Sequence, residues 1–397
     1  MVADLAPFTG PDASLGPGFL AGCYAATYVI DHQGGVLGHQ LNCQTFDTRG
    51  DPADAVPATR QMFASTSNLA LVIGPTSDEA AAVVPIINQN KMVVFSGTGQ
   101  SEFDTSPFPY FYRLVPPDIF TAYALVATAH FKYHYTRVAL AFGNDIGSQT
   151  FVAPAEQALQ RLGMTMTDNE VLNLTATSYR TEVTKILSTH PQVIFTEALG
   201  PADAIFLSEV KQLNGGTMIP VIGTNPTIDP TWYADVSKAV GATALQDSFV
   251  ADTVGIDTSG PAYATYKNAI VAEKAKIKNY VGYLTHAESL HFYDAVTLAA
   301  LAMVKTNSTQ PSVYHTAIKA IANGVPGATV VTSYAQGVKL LREGKAIRYV
   351  GPGGQTNFNK YNNSQVDFQI DKYGPGGSVV VAGSVPAADV AAAAGGH

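Results

Sequence analysis

Two loops rich in glycine and hydroxyl groups are the first residues of this chain with chemistry to offer. In VVFSGTGQSE (93–102) a β-branched run ends at Ser96, and Thr98 stands between Gly97 and Gly99. Such a turn lets backbone N–H groups converge on an anion, and the threonine hydroxyl adds a donor. Earlier, LVIGPTSDEAAAVVPII (71–87) repeats the device: a strand, Gly74-Pro75, Thr76-Ser77, then an alanine-rich helical run. Two such turns close in sequence point to one shared site for an anion or a polar ligand. Ser77 has a plainer reading as the N-cap of its helix, and the two are compatible, because a well-capped helix N-terminus also attracts anions.

Other chemistries fail on spacing. Gly97 and Gly99 supply G-x-G, but Glu102 stands where a dinucleotide fingerprint needs its third glycine, and the segment is not the first βα unit. The chain contains neither a Walker phosphate loop nor a G-x-S-x-G nucleophile elbow. His130 and His134 have the i, i+4 spacing of a metal pair, yet no acid or cysteine lies near them in sequence. Imidazoles at a solvated helix end, where they suit the dipole, are the better reading, so no metal and no cofactor are expected. Glu197 and Glu288 have the makings of a catalytic carboxylate pair. Their plainer role is to bind polar ligand groups or to be solvated.

The elements that position these loops alternate from the start. A helix over 17–32 ends at Gly34-Gly35, a strand follows over 39–47, and a helix over 51–66 carries Asp51 as cap and Pro52 at its first position. Strand 69–74, helix 79–90 and strand 92–96 continue a βαβ series, hence a parallel sheet with helices on both faces. FYRLVPPD (111–118) reads as an interruption, since its paired prolines refuse both helix and sheet. Alternation then restarts with helix 120–133, strand 137–142, helix 149–162, strand 164–172, helix 178–189, strand 192–198, helix 202–213 and strand 220–224. Helices over 260–278, 287–304, 312–322 and 334–343 follow, and the glycine-rich 351–383 reads as a hairpin-like element. The fold class is therefore α/β, with two doubly wound parallel-sheet lobes. Loops at 141–149, 195–203 and 222–229 join the first two at strand carboxyl ends, where open α/β sheets bind ligands.

The 397 residues suit two domains, and 46% hydrophobic with 14% charged residues describes a well-buried chain. A formal net charge of −8 argues against a nucleic-acid partner, and HFKYHYTR (130–137) is too small a basic patch to reverse that. No run of 18 apolar residues occurs, so no membrane-spanning helix is expected. MVADLAPFTG lacks a charged start and a long apolar core, and a strand is already under way at VADLA; the expectation is an exported protein whose signal has been removed. AADVAAAAGGH, in the expected tail 386–397, reads as frayed and flexible. Cys23, on the first helix, and Cys43, on the next strand, are either a disulfide of an exported protein or two buried thiols. The disulfide is the expectation carried forward.

Taken in order, PFTGPDASLGPGFLAG, VIDHQGGVLGHQL, DTRGDPADAV, VIGPTSDEAAAVVPIINQNKMVVFSGTGQSE, FYRLVPPD, FGNDIGS and YDAVTLAA resemble the leucine/isoleucine/valine-binding family. These are type I periplasmic solute-binding proteins of ABC importers, and the resemblance runs from about residue 4 to 385. It implies two lobes joined by a three-strand hinge, with crossings near Pro117–Ile119, Val250–Asp252 and Val350. The implied lobes are 1–118 with 252–349, and 119–251 with 350–385. It also implies that the first lobe holds a ligand carboxylate with Ser77 and with the run Gly97, Thr98, Gly99.

The second lobe departs from the family pattern. Asn225 stands where amino-acid binders place a glutamate on the ammonium. Leu199 and Ile146 replace aromatics, and in the first lobe Leu15 replaces another. Glu197 and Glu288 are the acids near enough to substitute. The expected function is a non-enzymatic, monomeric solute-binding protein, periplasmic or extracellular, that hands a small carboxylate-bearing or polar molecule to an ABC permease. A ligand-sensing extracellular domain and an enzyme using the cleft are the alternatives.

Overall fold

The architecture is a computed structural model that describes residues 1–395. The chain forms two compact units, Met1–Pro116 with Ile256–Val366, and Pro117–Gly255 with the segment from Asp367 onward.

The first unit opens with β1 (Val2–Ala6), α1 (Gly16–His32), β2 (Cys43–Asp47), α2 (Pro52–Ser65), β3 (Leu71–Ile73), α3 (Ser77–Gln89), β4 (Val94–Ser96) and β5 (Phe111–Arg113). These strands form an all-parallel sheet in the order β2-β1-β3-β4-β5. The presence of β5 corrects the reading of FYRLVPPD as an interruption. The prolines stand at 116 and 117, beyond Phe111–Arg113, which stays free to pair with β4. Strand alternation sends Val2 and Ala6 into one hydrophobic core and Ala3 and Leu5 into the other. Asp4 shares the Val2 face; it is fully buried and neither of its oxygens has a hydrogen-bond partner. Asp51 caps α2 as expected, accepting from Ala53 N–H at 2.6 Å. Cys23 of α1 and Cys43 of β2 are joined as a disulfide, with Cα atoms 6.2 Å apart.

The second unit runs through α4 (Asp118–Ala127), β6 (Arg137–Gly143), α5 (Ile146–Gln149), α6 (Val152–Arg161), β7 (Thr165–Leu172), α7 (Arg180–Ser188), β8 (Val193–Glu197), α8 (Gly200–Leu213), β9 (Val221–Gly223), α9 (Pro230–Val240), α10 (Ala242–Ser248) and β10 (Phe249–Val254). The chain then returns to the first unit with α11 (Pro261–Ala272), α12 (Ala287–Thr306), α13 (Pro311–Asn323), β11 (Thr329–Val331), α14 (Tyr334–Arg342), β12 (Ile347–Tyr349), β13 (Asn357–Phe358) and β14 (Ser364–Gln365). It ends in the second unit with β15 (Phe368–Tyr373), β16 (Val379–Val385) and α15 (Ala387–Ala394). The larger sheet has the order β16-β15-β10-β9-β8-β6-β7, parallel except for the terminal β15–β16 hairpin. After Ala127 the α4 helix loosens into a π-turn at Thr128–Lys132, so His130 and His134 sit at a helix end. Among the described residues no cluster of acids, histidines and cysteines is arranged for a metal, and no helix is long and apolar enough to cross a membrane.

Two boundaries and the tail differ from expectation: β10 stays whole in the second unit, so the second crossing falls at Gly255–Ile256 and not at Val250–Asp252. Residues 350–366 stay with the first unit, so the third crossing falls after Val366 and not near Val350. Side chains hold them there: Asp294 accepts from Gly353 N–H at 2.8 Å, Asn323 brackets both backbone groups of Phe358, and Asn363 donates to the Phe103 and Asp104 carbonyls. The expected frayed tail contains α15, whose alanines favour helix and whose Val390 and Ala393 pack into a core with α4 and α6. Its last two residues lie outside the described residues.

Candidate ligand-binding site

In the first unit the loops after β3 and β4 are stitched together. Pro75 O accepts from Gly97 N–H at 3.0 Å and from the Ser96 hydroxyl at 2.7 Å. Above that joint the Ser77 and Thr98 hydroxyls meet at 3.2 Å. The two polar turns therefore converge on each other, with Ser77 half-buried and Thr98 fully buried. Gly97 is needed for packing: a Cβ there would come within 2.6 Å of the Phe19 ring.

Two details revise the sequence reading. The N-cap of α3 is Thr76, not Ser77, so the Ser77 hydroxyl is spared from capping. Glu79 takes the Thr76 N–H and hydroxyl at 3.1 and 2.8 Å, and the Thr48 hydroxyl at 3.0 Å. Burial pushes the Glu79 carboxyl up, and these donors oppose the shift. Nor is the run 97–99 a set of converging amides. Gly97 N–H is spent on Pro75, and Thr98 N–H donates to Ser96 Oγ at 3.1 Å. Gly99 N–H remains, together with the hydroxyls and the first turn of α3.

Behind the loop stands a residue the sequence reading passed over. Arg113 of β5 is fully buried; it donates to Gln100 O at 3.0 Å and to Thr98 O at 3.4 Å, and pairs with Asp104. Its fork fixes the carbonyl side of the loop, which leaves the hydroxyl side to a ligand. A single arginine between apolar residues in FYRLV was the available signal. Leu15 lies half-buried just before α1. Glu288 is buried in the first turn of α12, so it belongs to the first unit while Glu197 belongs to the second.

In the second unit β6, β8 and β9 are neighbours, and their carboxyl ends bring Asp145, Glu197 and Thr224 into one region. Glu197 is the last residue of β8; it is 8% exposed and accepts from the Thr224 hydroxyl. Thr224 O in turn takes Thr227 Oγ1 at 2.6 Å, which shapes the turn carrying Asn225. Below, Asp203 receives Thr196 Oγ1 at 3.0 Å, Ala198 N–H at 3.2 Å and Trp232 Nε1 at 2.8 Å. Burial pushes Asp203 up to about 7 against those donors. Burial also pushes Glu197 well above the usual carboxylate range; Thr224 opposes this, while the charges of Asp145, Asp118 and Asp203 add to it. Leu199 is half-buried before α8, Ile146 is 50% exposed at the start of α5, and Asn225 is half-buried directly after Thr224. Nothing in the sequence reading singled out Thr224, although a hydroxyl at the end of β9 matched those after β3 and β4.

Each unit is thus an open α/β sheet with polar groups gathered beyond its strand carboxyl ends: hydroxyl donors in one, a carboxyl acceptor in the other. That combination defines a two-unit α/β ligand-binding protein. The sequence matches the periplasmic binding protein family over residues 2–350, and the chain belongs to that family. A Leu/Ile/Val-binding protein, BraC3 of Rhizobium johnstonii, is 24% identical over 280 residues, covering 70% of this chain and 74% of the relative. Among solved structures, the leucine-binding protein LivK of Thermotoga maritima superposes with a TM-score of 0.78 at 16% identity, covering 98% of this chain and 99% of the other. A solute-binding protein of an ABC transporter from R. palustris, in complex with benzoate, gives 0.73 at 16% identity, covering 97% and 95%.

Proposed function

We propose that this chain is the solute-binding component of an ABC importer, working outside the cytoplasmic membrane, as a monomer and without catalysis. The observation that carries the reading is the Ser77–Thr98 hydroxyl pair at the start of α3, fixed from below by Pro75 and from behind by Arg113. It offers directed donors and no full counter-charge, which suits a carboxylate bound through several charge-assisted hydrogen bonds. Family membership supports solute capture, and BraC3 and LivK bear the names of amino-acid binders while the R. palustris protein holds benzoate. A small carboxylate is common to all three, and it is the ligand proposed here. The Cys23–Cys43 disulfide supports an oxidising, exported setting. Native mass spectrometry of the protein as purified, followed by identification of the released molecule, tests this. A small carboxylate is expected; a ligand without any acidic group would sink the reading.

A further inference from the structure

We propose that the second unit carries another small-molecule site, at the end of its sheet opposite Glu197 and Thr224, and that this site takes a planar acid such as an aromatic carboxylate. The inference does not depend on the reading of Ser77 and Thr98. A cavity of about 370 Å³ opens at the amino ends of β9 and β10, within the roughly 300–1,000 Å³ usual for small-molecule sites. Every residue lining it belongs to the second unit. Ile222, Val250, Lys372 and Ala382 line it from four neighbouring strands, β9, β10, β15 and β16. Tyr133 and Tyr135 line it from HFKYHYTR (130–137), a stretch that solute capture leaves without a role. The π-turn sets these two rings. Tyr133 N–H closes on Thr128 O at 3.2 Å and Tyr135 N–H on Ala129 O at 2.9 Å. His134 between them has a φ of 57°, uncommon for a residue other than glycine. The result is a stacked pair, with centroids 5.7 Å apart and planes 17° from parallel.

The stacked rings give the cavity a flat aromatic wall, which suits a planar ligand. Its polar groups choose the charge. Tyr179 and Tyr373 of the same unit spend their hydroxyls on Asn173 O and Thr227 O at 2.7 Å each. Among the described residues the hydroxyls of Tyr133 and Tyr135 and the Lys372 ammonium have no such partner. Burial pushes both phenols up, so they remain protonated donors. Lys132, whose Nζ donates to Ala382 O at 3.1 Å, adds a second positive charge beside the cavity. Against these stands one acid in the lining, Asp247, which is exposed. Asp252 of β10 is fully buried and accepts from Thr128 Oγ1 of the π-turn at 2.9 Å. Burial pushes its carboxyl well above the usual range, which lessens the negative charge it sets behind the tyrosines. Donors thus outnumber acceptors, and an anion is the group they fit.

The probes are naphthalene-2-carboxylate, its neutral carboxamide and the cationic 2-naphthylmethylammonium, titrated by calorimetry into the full chain. The carboxylate is expected to bind about five- to tenfold more tightly than the carboxamide, and the ammonium more weakly than either. Lys372→Gln, at an exposed position, should remove most of the gap between acid and amide. Tyr135→Leu keeps apolar bulk and should weaken both by about tenfold. A second measurement needs no variant: acylation of Lys372 by a small amine-reactive ester, read by mass spectrometry, should slow when the carboxylate is present, while that of the distant, exposed Lys278 should not. No binding of the carboxylate at millimolar concentration overturns the proposal. So does a preference for the amide or the ammonium. Carboxylate affinity unchanged in Lys372→Gln, or Lys372 acylation unchanged by the probe, overturns it as well, because the probe then sits elsewhere.

Discussion

A hydroxyl has one proton to give, and at Thr98 the choice of where to send it matters. Thr98 Oγ1 accepts Gln100 N–H at 3.2 Å, while Ser77 Oγ at 3.2 Å and Gln100 Oε1 at 3.4 Å compete for its proton. Once the Thr98 proton goes to Ser77, the Ser77 proton is free to turn to a carboxylate. Ser77→Ala should then cost roughly 1.5–3 kcal/mol, about ten- to a hundredfold in affinity, measured by calorimetry with the ligand identified from the purified protein. An unchanged affinity would remove Ser77 from the site. Asp4 gives a second residue-level outcome. Burial raises its pKa well above the ordinary value, so the folded chain holds this proton more tightly than the unfolded chain. Between the ordinary value and the raised one, the native state binds more protons, and this contribution to stability falls as pH rises. Asp4→Asn removes that slope, so the urea midpoint of the variant relative to wild type should be higher at pH 8 than at pH 5. A pH-independent difference would show that Asp4 does not titrate this way. The donors Ser77 and Thr98 were legible because glycine and hydroxyls after a β-branched run have local meaning. Arg113 and Thr224 were not, since their roles depend on which strands become neighbours.

At the scale of elements, most of the α/β alternation was legible, because buried parallel strands are short apolar runs and the helices between them carry their own caps. DPADAVPATRQMFAS announces α2 through Asp51 and Pro52, and the structure agrees. What escaped were elements whose existence depends on partners. β5 is three residues long and is recruited by β4, and α9 and α10 fill the stretch between β9 and β10 that had no assignment. Where the sequence left two readings, the Cys23–Cys43 link chose one by packing α1 against the start of β2. Closing a loop of this length contributes about 3 kcal/mol in the chain-entropy account. Replacing both cysteines by alanine should therefore lower the unfolding free energy by about that amount. The wild-type protein, denatured without reductant, should show no free thiol to Ellman's reagent; two thiols would contradict the link.

On the scale of the whole molecule, the chain passes from one unit to the other after Pro116, after Gly255 and again after Val366. The division of the chain has a further consequence, for the order in which a ribosome makes it. The first sheet is complete by Arg113, yet one of its faces is covered by α12 and α13, which begin at Ala287 and Pro311. The second unit is inserted in between, and its β10 lacks its antiparallel neighbour β15 until Phe368–Tyr373 is synthesised. Neither half can therefore close its core early in translation, because each waits for elements that begin at Ala287 or later. A nascent chain kept open for that long is sticky and depends on holding factors. It is also still threadable, the state that a narrow secretion pore accepts.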